Sequence, residues 1–193
     1  KAIGYFHRAV ELDPGYASAW ASLSFCYLTQ GVNGWVPVAE GAERARETAR
    51  RALEIEPDLA VGHWALGSVH MYYDWDWKAA EACIRRALRL APDDSLLIVR
   101  AANLLLNLGQ VEEAGAVARR ALALDPPNAA AQDLSCWLES LVGHLDEAER
   151  ACRKALELGP DRVKVQFRLC DVHLLQGRAA DALQAAEREV EPP

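Results

Sequence analysis

His63 and His70 stand seven residues apart, a spacing that sets both on one face of a helix, and Asp74 follows one turn later. An imidazole beside a carboxylate is raw material for a general base or a metal ligand set. Asp74 and Asp76 also form a carboxylate pair, the kind of arrangement that cleaves glycosidic bonds. Plainer roles weigh more. Both histidines, and His173 with them, occupy places where a helical array keeps core aromatics, which makes them packed neutral rings. The two aspartates lie in the turn YDWDW (73–77), where carboxylates close turns and cap helices. No glycine-rich phosphate loop, serine nucleophile elbow or zinc motif accompanies them. The expectation is a chain with no catalytic residue, no metal site and no cofactor.

Charge and cysteine usage narrow the class. The net charge is −7 and the pI about 5.3, the opposite of what phosphate neutralisation needs, so no direct nucleic-acid contact is expected. A basic ladder recurs at Arg50 and Arg51, Arg85 and Arg86, Arg119 and Arg120, then Arg153 and Lys154. Acids four residues earlier, Glu47, Glu81 and Glu149, make it a charge-balanced outer face. Apolar runs fall short of the roughly 20 residues of a membrane span, and no secretory core opens the sequence. Cys26, Cys83, Cys136, Cys152 and Cys170 include no Cys-x-x-Cys pair, and free thiols behave as small buried hydrophobes. A soluble cytoplasmic protein with no membrane partner is the expectation.

The elements that must carry these residues repeat. Five segments close on nearly one phrase: RAVELDP, RALEIEP, RALRLAP, RALALDP and KALELGP, ending at Pro14, Pro57, Pro92, Pro126 and Pro160, at spacings of 43, 35, 34 and 34. Twelve residues before each proline stands Ala2, Ala45, Ala80, Ala114 or Ala148, and five before it Ala9, Ala52, Ala87, Ala121 or Ala155. Small residues at fixed places let two helices approach closely, and proline ends the second. The residue after the second alanine is always aliphatic (Val10, Leu53, Leu88, Leu122, Leu156) and is expected in the core. Gly109, Gly143 and Gly177 suit the C-terminal cap of each first helix, with acids opening the second.

A 34-residue helical-hairpin period with these small residues resembles the tetratricopeptide repeat family. The resemblance implies an all-α, right-handed α–α superhelix of about eleven antiparallel helices. Repeat boundaries follow: a lone second helix in 1–14, then hairpins at 17–59, 60–94, 95–128, 129–162 and 163–193, making a single array. The first hairpin is nine residues too long, an excess assigned to a loop at GVNGWVP (31–37), and the second carries one extra residue at YDWDW. A long loop followed by that turn resembles the repeat regions attached to bacterial winged-helix regulators and class III adenylyl cyclases. The chain thus reads as a fragment, the sensing or interaction region of a larger bacterial signalling protein.

In this family the first helices line a concave surface. Carried over residue by residue, that face holds Phe25 in the first hairpin and Trp64, Ser68 and Tyr72 in the second. Val99, Asn103 and Asn107 follow in the third, Asp133 and Trp137 in the fourth, Phe167 and Asp171 in the fifth. Aromatic rings would anchor a protein or peptide partner and the polar residues would set its register, with Trp35 as a lid. The Lys and Asn clamp with which one subclass grips chaperone tails is missing, since Ala21 and Phe25, Trp64 and Ser68, and Val99 and Asn103 hold its places. At the ends, Ile3, Phe6 and Val10 are short of cover, and a last helix reaching Val190 lacks a polar cap. Homodimerisation through the terminal helices is therefore the alternative function.

Overall fold

The computed structural model describes residues 2–160 and 163–187, and among them are eleven α-helices, one π-helical turn and no strand. They fall into two compact units, Lys1–Leu97 and Ile98–Pro193. The expected end of the last helix at Val190 lies outside the described residues.

In the first unit α1 (Ala2–Leu12), α2 (Ala17–Val32), α3 (Val38–Ile55), α4 (Ala60–Val69) and α5 (Trp77–Leu90) pack as successive antiparallel neighbours. The apolar stripe of α1, expected to be uncovered, lies against Leu23, Tyr27 and Leu28 of α2, with Val10 buried and Ile3 and Phe6 half-buried. The nine-residue excess is mostly helix: α2 and α3 run to 16 and 18 residues and leave only positions 33–37 between them. They converge where glycines face each other, so that a Cβ on Gly41 would stand 2.9 Å from the Gly31 Cα. The buried Ser24 hydroxyl donates to the Ala45 carbonyl at 2.7 Å and ties the same pair together.

The second unit takes in most of α6 (Ser95–Asn107), with α7 (Val111–Leu124), α8 (Ala129–Leu141), α9 (Leu145–Leu158), α10 (Val163–Leu175) and α11 (Ala179–Glu187). In both units the small-residue code is the core. Ala45, Ala52, Ala80, Ala87, Ala114, Ala121, Ala148 and Ala155 are all buried. The aliphatic residue after each second alanine is less enclosed than expected: Val10 is buried, but Leu53, Leu88, Leu122 and Leu156 are half-buried. Cys136 and Cys152 correct the expectation of five free thiols. They face each other across α8 and α9 with Cα atoms 5.1 Å apart and form a disulfide, a separation within the range such a bond requires.

Turn chemistry explains both the regular hairpins and the odd one. After α6, α8 and α10 a glycine adopts the left-handed conformation (φ 76°, 82° and 76°). The next amide then reaches back five residues: Gln110 to the Leu105 carbonyl, His144 to Glu139, Arg178 to His173. After α4 the extra residue is absorbed by a π-helical turn, His70–Asp74, and Asp76 N–H reaches back six residues to His70. Trp75 takes the left-handed position that glycine holds elsewhere (φ 54°).

Candidate functional site

In the second unit α8 and α10 touch and carry the residues that sequence placed on a binding face. Asn128 starts α8 by accepting from the Ala130 and Ala131 amides at 3.0 Å, which places Asp133 and Trp137 one turn apart on that helix. Arg168 of α10 bridges them. Its guanidinium lies 4.9 Å from the centre of the Trp137 ring and is ion-paired with Asp133. Burial pulls the Arg168 pKa below its ordinary value, while the Asp133 carboxylate and the π-face of Trp137 compensate the charge. Phe167, next to Arg168 along α10, is 55% exposed, Leu141, one turn beyond Trp137 on α8, is 54% exposed, and Asp171 is exposed. The arrangement offers apolar anchorage next to a half-buried indole held by a fixed cation. Sequence reasoning passed over Arg168, although its place one turn beyond Lys164 on a first helix was a usable signal.

Elsewhere the candidate residues are buried or half-buried, except Tyr72 and Asn107. Trp64 is 5% exposed and Ser68 fully buried, with its hydroxyl donating to the Trp64 carbonyl of its own helix at 2.9 Å. Phe25 is half-buried, its ring 6.4 Å from that of Trp64 at a 34° tilt. Tyr72, on the π-helical turn, is exposed. In the second unit Val99 is buried, Asn103 donates to the Val99 carbonyl at 3.0 Å, and Asn107 is exposed. Ser68 and Asn103, expected to read a partner, thus direct their hydrogen bonds to their own helices. Trp35, 72% exposed, stands with Phe25, Ile3 and Thr29 around a cavity of about 250 Å³ between α1 and α2.

The residues that suggested chemistry have structural employment. Asp74 accepts from His70 Nδ1 at 2.9 Å and from Arg46 at 2.6 Å, holding the π-helical turn to α3. Asp76 caps α5 by accepting from the Ala79 amide at 3.0 Å. The expectation of core histidines holds for the burial of His173, whereas His63 on α4 and His70 on the π-helical turn are half-exposed. His63 Nε2 meets the Pro57 carbonyl at 2.9 Å. Among the described residues no three His, Cys, Asp or Glu side chains converge as a metal would require, and no helix is long and apolar enough to cross a membrane. The basic ladder forms two of its three expected pairs, Arg85 with Glu81 and Arg153 with Glu149, while Arg51 turns to Glu54.

The sequence profile of the family described as "Tetratricopeptide repeat" matches residues 73–129 and 142–193, together more than half of the chain. No curated protein sequence matches it. Among solved structures the chain is similar to PilF of Pseudomonas aeruginosa, with 22% identity, 90% of this chain and 74% of that one covered, and a TM-score of 0.75. It is also similar to PilW, a type IV pilus biogenesis factor (21% identity, 95% and 80% covered, TM-score 0.73). A third is YrrB, a repeat protein with an unusual peptide-binding site (21%, 96% and 90%, TM-score 0.60).

Proposed function

This chain belongs to the tetratricopeptide repeat family, and from that premise we propose that it is an interaction scaffold that captures a protein or peptide on the α8–α10 face of its second unit. Proteins of this family are generally non-catalytic scaffolds, and the histidines and aspartates that invited an enzymatic reading here serve turns and caps. The observation that carries the proposal is the Asp133–Arg168–Trp137 cluster with exposed Phe167 and Leu141 beside it. Aromatic and arginine side chains dominate interface energies, and here the arginine is already ordered. The repeats at 17–59 through 163–193 read as one array because the 34-residue proline spacing runs through Pro92, Pro126 and Pro160.

The finer context belongs to the same proposal. The long α2–α3 hairpin followed by the YDWDW turn supports attachment to a bacterial regulator with a winged-helix or adenylyl cyclase domain. Cytoplasmic residence goes with that reading, and the Cys136–Cys152 bond argues for a more oxidising compartment. A second reading, self-association, is favoured by the exposed Leu174, Leu175 and Leu183 of α10 and α11. Light scattering over a concentration series tests it, and a constant monomer mass removes it.

Peptides selected against the whole chain from a displayed library test the main proposal. Trp137→Ala with Phe167→Ala should weaken their binding by about 30-fold or more while leaving the far-UV circular dichroism unchanged. Undiminished binding would remove this face from consideration.

A further inference from the structure

Along α10, Phe167, Asp171, Leu174 and Leu175 recur at the spacing of one helical face, and all four are exposed. Val165, Leu169 and Val172 take the opposite side, in one buried cluster with Ala185 of α11. The outer stripe is therefore the side of α10 that α11 leaves open. A helix that is apolar on both sides has a second face to bury, and here that face adjoins Arg168, which ties α10 to Trp137 and Asp133 of α8.

Asp171 gives the stripe its sign. It sits between Phe167, one turn before, and Leu174, one turn after, and no described residue pairs with its carboxylate. The cation one turn earlier, Arg168, is committed to Asp133 and to the ring of Trp137. Lys164 precedes Asp171 by seven residues, about 10 Å along the helix axis, too far to neutralise it, and positions 161 and 162 precede even that. His173 is buried and meets Glu149 of α9. The net charge of −7 gives the chain as a whole the same sign as this carboxylate.

We infer that the partner on this face is an amphipathic helix carrying a lysine or arginine between two large aliphatic residues on one side. The inference rests on the scaffold reading of the α8–α10 face and names its ligand. A helix laid along α10 presents side chains at the same intervals, so its aliphatic groups meet Phe167 and Leu174 while the cation between them meets Asp171. An acid in that place would set two carboxylates against each other, and a neutral residue would leave Asp171 covered without a counter-charge.

The test uses the complete 193-residue chain and three fluorescein-labelled, capped alanine–glutamine helices of about 15 residues. Each carries Leu at its fourth and eleventh positions and Arg, Gln or Glu at its eighth. In fluorescence anisotropy at low salt the Arg peptide should bind about threefold more tightly than the Gln peptide and about tenfold more tightly than the Glu peptide. Asp171→Asn, at an exposed position, should abolish the preference, and Asp171→Lys should reverse it in favour of Glu. Phe167→Ala should weaken all three by about tenfold and keep their order. Equal affinities on the native chain, or an order that Asp171→Lys leaves unchanged, overturn the inference, and the scaffold reading survives either result as long as Phe167→Ala still weakens binding. No saturable binding of any of the three also overturns it, and the scaffold reading is then decided by the peptides selected from the displayed library. Dimerisation with rising concentration that Leu174→Ala with Leu175→Ala reverses would give the stripe to a second copy of the chain and overturns it too.

Discussion

Replacing Asp133 by alanine strips the Arg168 guanidinium of its counter-ion in a place where water can only partly substitute. The two side chains are 20% and 24% exposed, between a surface pair, which contributes about 0–1 kcal/mol, and a fully buried one, whose rupture costs roughly 3–5. A loss of about 2 kcal/mol follows from that intermediate position. Part of it is shared with the stacking on Trp137, which contributes about 0.5–1 kcal/mol and depends on the same guanidinium staying in place. Urea denaturation followed by far-UV circular dichroism, on Asp133→Ala in the native chain and in an Arg168→Met background, isolates the coupling. The cost should fall to roughly 0.5 kcal/mol or less once the guanidinium is absent, because nothing is then left uncompensated. Equal costs in the two backgrounds would refute the reasoning: Asp133 would then contribute something other than a partner for Arg168.

Three other outcomes are expected. Gly41→Ala should cost about 1–3 kcal/mol in the same assay, because its methyl group would meet the Gly31 backbone at 2.9 Å; an unchanged midpoint would mean that α2 and α3 separate freely. Glu149 has a folded-state pKa lowered to about 2 from the ordinary 4.5, so its contribution is complete above the unfolded-state value and disappears as pH falls from about 5 towards 2. The stability gap between the native chain and Glu149→Gln should close over that window in thermal melts, and a gap independent of pH refutes the linkage. Alkylation in denaturant without reductant should mark three cysteines, Cys26, Cys83 and Cys170, and with reductant all five, counted by intact mass; five without reductant would show Cys136 and Cys152 to be thiols.

The alanines at twelve and five residues before Pro57, Pro92, Pro126 and Pro160 mark the buried seams of their hairpins, legible because a seam between helices accepts only small side chains, whereas before Pro14 Ala2 is exposed and Ala9 half-buried. The glycines after α6, α8 and α10 were equally legible, since a left-handed residue at a helix end excludes most others. YDWDW marked an irregularity without disclosing its form. One added residue can become a looser loop or a π-helical turn, and the choice rests on what Asp74 can reach, here Arg46 and His70.

Repeat register, helix order and the small-residue seams were thus determined by the sequence alone, because each depends on neighbours within one hairpin. Tertiary structure decided which aromatic rings meet solvent, burying Trp64 and exposing Phe167 at equivalent repeat positions and half-covering Trp137 at a position one turn further along its helix. It also brought Arg168 to Asp133 and Cys136 to Cys152. Period and propensity specify the direction in which a side chain leaves its own helix. What it meets there is set by another helix, whose side chains differ from repeat to repeat.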